Sequence, residues 1–125
     1  MDPLRRILVV DDDASIQTIL GDALVDNGFE PTTAMTGEDA LVHLKTDRFD
    51  LLIVDISFGS DRIRGWDVAR RVRAAQPGIP VVYISGGDLN DWSVQGVPQS
   101  IVLRKPFVPS QLVTSIAHLL ADALP

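Results

Sequence analysis

Residues Ile7-Leu8-Val9-Val10-Asp11-Asp12-Asp13 decide how the rest of the chain is read. Four aliphatic residues without polar alternation are the pattern of a strand buried on both faces, and three carboxylates follow at once. The apolar pattern returns in Leu51-Leu52-Ile53-Val54, Val81-Val82-Tyr83-Ile84 and Ile101-Val102-Leu103. Strands of this kind belong to a parallel sheet covered by helices. A weaker candidate, Glu30 to Met35, carries Pro31 and suits an edge position.

Amphipathic segments separate the runs. In residues 14–27, Ile16, Ile19, Leu20, Ala23 and Leu24 share one helical face, and Asn27-Gly28 ends it. Residues 37–46 group Ala40, Leu41 and Leu44. Residues 66–75 group Val68, Ala69 and Val72 before the stop Gln76-Pro77-Gly78. From Pro109 onward, Leu112, Val113, Ile116, Leu119 and Leu120 form the last stripe. Alternation asks for a further helix over 88–95, but Asp88, Asn90, Asp91 and Ser93 favour turns, so it is expected to be short. Five β-α units result, an α/β fold with helices on both faces of one doubly wound parallel sheet.

The 125 residues suffice for one domain, expected to span 1–125. A composition of 46% hydrophobic and 22% charged residues is that of a globular chain. No apolar run approaches the 18 or so residues of a membrane span, and none reads as a signal peptide; a cytoplasmic address is the expectation. The absence of cysteine excludes a disulfide scaffold, a thiolate metal site and a cysteine nucleophile. A net charge of −6 disfavours direct binding to nucleic acid. Among eleven basic residues only Lys45 and Lys105 are lysine.

Ligands of such sheets bind beyond the carboxyl ends of the strands. There the sequence places Asp11, Asp12 and Asp13, then Asp55, then Ser85-Gly86-Gly87, then Arg104-Lys105-Pro106. Clustered carboxylates repel one another, and a hard divalent cation relieves that; Mg²⁺ is the natural choice, with Mn²⁺ as a substitute. A carboxylate beside such a cation can attack phosphorus, forming an acyl phosphate on Asp. A serine hydroxyl and a lysine ammonium suit its oxygens, and Gly86 and Gly87 leave room for them.

The pieces ILVVDD (Ile7 to Asp12), FDLLIVD (Phe49 to Asp55), IPVVYIS (Ile79 to Ser85) and KPF (Lys105 to Phe107) resemble the receiver domain of bacterial two-component response regulators. They stand in the family's order, and the similarity covers nearly the whole chain. The resemblance implies a flavodoxin-like strand order of 2-1-3-4-5. It implies Asp55 as phosphoacceptor and as a Mg²⁺ ligand, Asp11 and Asp12 as the acid pair for that ion, and the backbone carbonyl of Ser57 as a further ligand. Ser85 would be the hydroxyl switch residue and Lys105 the phosphate partner, with a cis Lys105–Pro106 bond. The implied partner is a histidine kinase or a histidine phosphotransfer protein, and the implied role is a signalling switch that modifies itself rather than an enzyme with a separate substrate.

Several positions depart from the family pattern. Phe58-Gly59 replaces the usual Met-Pro pair, the loop from Ser57 to Arg64 is longer than usual, and Val102 stands where the family usually has Tyr or Phe. Two other readings compete: a pseudo-receiver that binds partners without phosphorylation, and a small Asp-nucleophile phosphohydrolase. The hydrolase needs further acids after its lysine, and beyond Lys105 only Asp122 remains. Simpler roles suit other residues. Asp13 is a helix cap, and His43 and His118 are ordinary helix histidines. Arg70, Arg71 and Arg73 are a solvated face, Trp66 and Trp92 are packing residues, and Lys45 is a surface charge.

Overall fold

Alternation along the aliphatic runs sends successive side chains to opposite faces of the sheet, and each face then needs its own layer of helices. The computed structural model, which describes residues 4–56, 65–86 and 96–123, has this arrangement. The elements are β1 (Arg5–Val10), α1 (Ala14–Asp26), β2 (Phe29–Ala34), α2 (Gly37–Thr46), β3 (Leu51–Asp55), α3 (Gly65–Ala75), β4 (Val81–Ser85), β5 (Ser100–Arg104) and α4 (Pro109–Ala123). The sheet is parallel, in the order β2-β1-β3-β4-β5 expected from the resemblance. The short helix expected over 88–95, with Trp92, lies outside the described residues.

On one face Leu8, Val10, Leu52, Val54 and Tyr83 pack against Ala40 of α2 and Val68, Ala69 and Val72 of α3. On the other, Ile7, Val9, Leu51, Ile53, Val82 and Ile84 meet Leu20 and Leu24 of α1 and Leu112, Ile116 and Leu119 of α4. Register locks this division, because a one-residue slip would exchange the two faces. β2 lies at an edge, as Pro31 requires. β5 lies at the other edge, and there the sequence reading is corrected: Ile101, Val102 and Leu103 are only half-buried. Apolar content signals a strand, not its place in the sheet. Ile19, assigned by spacing to the buried face of α1, is 55% exposed.

Two polar residues hold the sheet's amino-terminal end. Gln76, read from sequence only as part of a helix stop, is buried; its Oε1 accepts from Phe49 N–H at 3.0 Å, and its Nε2 donates back to the Phe49 carbonyl. Arg73 is also no solvated residue: its Nε donates to the Ile79 carbonyl at 2.9 Å. Arg70 and Arg71 are exposed as expected, with Arg70 paired to Asp67 at 3.0 Å.

Candidate functional site

Asp11 follows the last residue of β1 and is only 1% exposed. Its N–H donates to the Ala34 carbonyl at 3.1 Å, which extends the β1–β2 pairing by one bond. Its Oδ1 accepts from Asp13 N–H at 2.9 Å, while its Oδ2 is buried with no hydrogen-bond partner. Asp12 is exposed. Asp13 caps α1 as expected, accepting from Ser15 N–H at 2.8 Å and from Ile16 N–H at 3.3 Å.

Asp55 is the last residue of β3 and is buried. Lys105 comes to it from the end of β5: Nζ donates to Asp55 Oδ2 at 2.8 Å. Backbone bonds fix this meeting of strand ends. Ile56 N–H donates to the Ile84 carbonyl at 2.9 Å, and Lys105 N–H donates to the Ser85 carbonyl at 2.7 Å. Ser85 ends β4, buried between them, and Lys105–Pro106 is cis. Beside Ser85, a methyl group at Gly86 would meet Lys105 Cδ only at 4.0 Å, so there is room there. The other lysine, Lys45, is exposed on α2. Ser57, Phe58-Gly59 and Gly87 lie outside the described residues.

The electrostatics are those of charge crowded into a buried place. Burial pushes the Asp11 carboxyl up to about 6. The hydrogen bond from Asp13 N–H and the charge of Lys105 oppose this, and the charges of Asp55 and Asp12 add to it. For Lys105, burial works toward a lower value. The hydrogen bond and charge of Asp55, with Asp11 and Asp13, outweigh it and hold the ammonium above its ordinary value. Among the described residues, no group of three or more His, Asp or Glu side chains is gathered that could hold a metal ion by itself. A divalent cation nevertheless fits here on one observation, since the orphaned Asp11 Oδ2 is a buried anionic oxygen lacking any donor.

Gly65 was missed in the sequence. Added to it, a Cβ would lie 2.5 Å from Ile56 Cα and 2.7 Å from the Asp55 carbonyl oxygen. Both are backbone atoms, so the first turn of α3 packs against the strand end that carries Asp55 only because residue 65 is glycine. Gly65→Ala is expected to lower stability by about 1–3 kcal/mol through overpacking, read as a lower urea midpoint. An unchanged midpoint would mean that α3 does not press on Asp55.

Gln17 was missed as well, though the signal was present: it stands three and seven residues before Leu20 and Leu24, on the buried stripe of α1. Val102, at the position of the family's usual aromatic, lies opposite Tyr83 in the β4–β5 register. Tyr83 is fully enclosed, 4.6 Å from the Trp66 ring, and its hydroxyl accepts from Val97 N–H at 3.0 Å.

The chain matches the response regulator receiver domain over residues 7–117. It is similar to the response regulator MprA of Mycolicibacterium vanbaalenii, 30% identical over 122 residues that cover 96% of this chain and 52% of that protein. MprA of Mycobacterium avium is 31% identical, with 96% and 53% covered. The chain thus spans about half the length of these curated relatives. Among solved structures, it superposes on a response regulator receiver protein from Sinorhizobium medicae with a TM-score of 0.91 and 38% identity, over 97% of this chain and 98% of that one. The chemotaxis protein CheY4 of Vibrio cholerae gives a TM-score of 0.85 at 26% identity, over 94% and 99%.

Proposed function

The chain belongs to the response regulator receiver domain family, and from that premise we propose that it is a phosphorylation-controlled switch with Asp55 as phosphoacceptor. The observation that carries the reading is the 2.8 Å contact of Lys105 Nζ with Asp55 Oδ2, beside the buried and unpartnered Asp11 Oδ2. A nucleophilic carboxylate, a cation that remains charged and a second carboxylate in want of a counter-charge are what phosphoryl transfer to an acid requires.

An Asp55 carboxylate oxygen attacks the phosphorus of a phosphohistidine on a kinase or phosphotransfer partner. The P–O bond forms as the P–N bond breaks, and the imidazole leaves, taking a proton from solvent. Asp11, Asp12 and Asp55, with the Ser57 carbonyl, would hold Mg²⁺. When bound, that ion offsets the negative charge of the phosphoryl oxygens. Lys105 then exchanges its contact with Asp55 for one with the phosphoryl group, and the Ser85 hydroxyl donates to another of its oxygens. Both residues sit at strand ends leading into loops, so their movement re-packs the surface that partners meet. The domain acts on itself and turns over no separate substrate. Among the described residues no helix is long and apolar enough to cross a membrane, and we assign the protein to the cytoplasm, where a kinase's phosphohistidine would be met.

Reductive trapping tests the assignment. Borohydride treatment after incubation with a P–N phosphodonor is expected to yield homoserine at position 55. Homoserine at position 11 or 12 instead would overturn it. Lys105→Ala should leave the Mg²⁺ dissociation constant within about threefold, since lysine is not a cation ligand, yet remove the conformational response to phosphorylation. A wild-type change in amide exchange of the loops in that variant would contradict the role of Lys105.

A further inference from the structure

We propose that Gln17 is a positioning residue that pre-sets Asp11 for a divalent cation, an inference that rests on the cation site of the preceding reading. Gln17 lies on α1 and is 7% exposed. Its Nε2 donates to the Asp11 carbonyl at 2.9 Å and to the Ala34 carbonyl at 2.9 Å, with the Val9 carbonyl farther off at 3.4 Å. The two hydrogens of the amide thus go to the two carbonyls at the point where the β1–β2 ladder ends, Val10 opposite Ala34 being its last pair.

The consequence for Asp11 is that nearly every polar atom is tied. Its N–H is held by Ala34, its carbonyl by Gln17 and its Oδ1 by Asp13 N–H. Oδ2 alone is left, buried and without a hydrogen bond. A carboxylate fixed in this way gives up little freedom when it binds, and the groups behind a ligand set its affinity.

Packing does not explain a glutamine here. Position 17 shares the buried stripe of Leu20 and Leu24, which a leucine would continue. Gln17 moreover leaves its own Oε1 buried with no hydrogen-bond partner. Orphaned buried acceptors are rare in native proteins and need a reason. Here the reason is the position that Nε2 gives Asp11.

The test is Mg²⁺ titration of the full chain by calorimetry, wild type against Gln17→Met, which keeps the length and apolar stem and removes the amide. The dissociation constant is expected to rise about tenfold, the lower range for loss of a group that orients a ligand. A brace with no bearing on the cation would lower the unfolding midpoint but leave the dissociation constant within twofold, and that result overturns the proposal. Should Gln17→Met fail to fold, the wild-type side-chain NH₂ resonances of Gln17 decide. They are expected to shift during the Mg²⁺ titration with its midpoint, and static resonances overturn the proposal. Absence of any Mg²⁺ binding by wild type would overturn the reading of the site itself, whereas wild-type binding unaltered in Gln17→Met overturns this inference alone.

Discussion

Asp55→Asn is expected to abolish phosphoryl acceptance while leaving the fold intact. The amide keeps the side-chain shape at the end of β3, and its oxygen can still accept from Lys105 Nζ, now 2.8 Å from Oδ2. An amide oxygen carries no full charge to attack phosphorus, so acceptance should fall by about 10³-fold or more, as expected for loss of a nucleophile. Stability should change little, because a charge is removed from a place crowded by Asp11. Time courses of intact mass for the two proteins make the comparison. Comparable acceptance by Asp55→Asn would move the phosphoacceptor elsewhere.

Asp11→Asn should trade function for stability. The Asp11 carboxyl is pushed up to about 6 in the fold, mainly by burial, against an ordinary value of 3.8. An acid that holds its proton more tightly when folded favours the fold most below pH 4. That advantage fades as pH rises from about 4 to about 6 and is absent above. Asn carries no charge at any pH, so the variant's gain over wild type should be near zero at pH 4 and grow to about 1–3 kcal/mol above pH 6.5. Mg²⁺ should reverse the order at neutral pH, stabilising wild type by mass action and the variant hardly at all. Urea unfolding across this pH range, with and without the ion, reads both effects. A difference independent of pH would mean that Asp11 is not buried as a charge.

The fold was legible because both faces of β1, β3 and β4 are covered, so their sequences read as apolar runs without polar alternation. β5 has the same composition, yet its place at the sheet edge leaves it half-exposed, which depends on neighbours far away in sequence. The positions of Asp11, Asp55, Ser85 and Lys105 were legible for a related reason: in a parallel sheet every strand delivers its last residue to one edge. What the sequence hid are the backbone partners of certain residues, even where, as at Gln17, the buried position itself was legible. Gly65 matters for a carbonyl it must approach, and Gln17 and Gln76 for carbonyls they must satisfy. Such partners are defined only once the chain has folded. The reading of Arg70, Arg71 and Arg73 as one solvated face failed at Arg73 for the same cause, since its partner is the Ile79 carbonyl.

On the proposed reading, the absence of an aromatic at Val102 changes what a switch could move. Tyr83 stands opposite it, but enclosed and tied to Val97 N–H, so it cannot swing outward as a residue of the half-exposed edge strand could. The movable groups on this account are Lys105 and Ser85, at the strand ends.

The most direct measurement is the intact mass of the wild-type protein after incubation with acetyl phosphate, in Mg²⁺ and in excess chelator. The account predicts a single added phosphoryl group in Mg²⁺, labile to hydroxylamine as an acyl phosphate is, and none in chelator. A phosphoryl group added equally well in chelator would contradict it, as would no adduct at any time point on protein shown to be saturated with Mg²⁺.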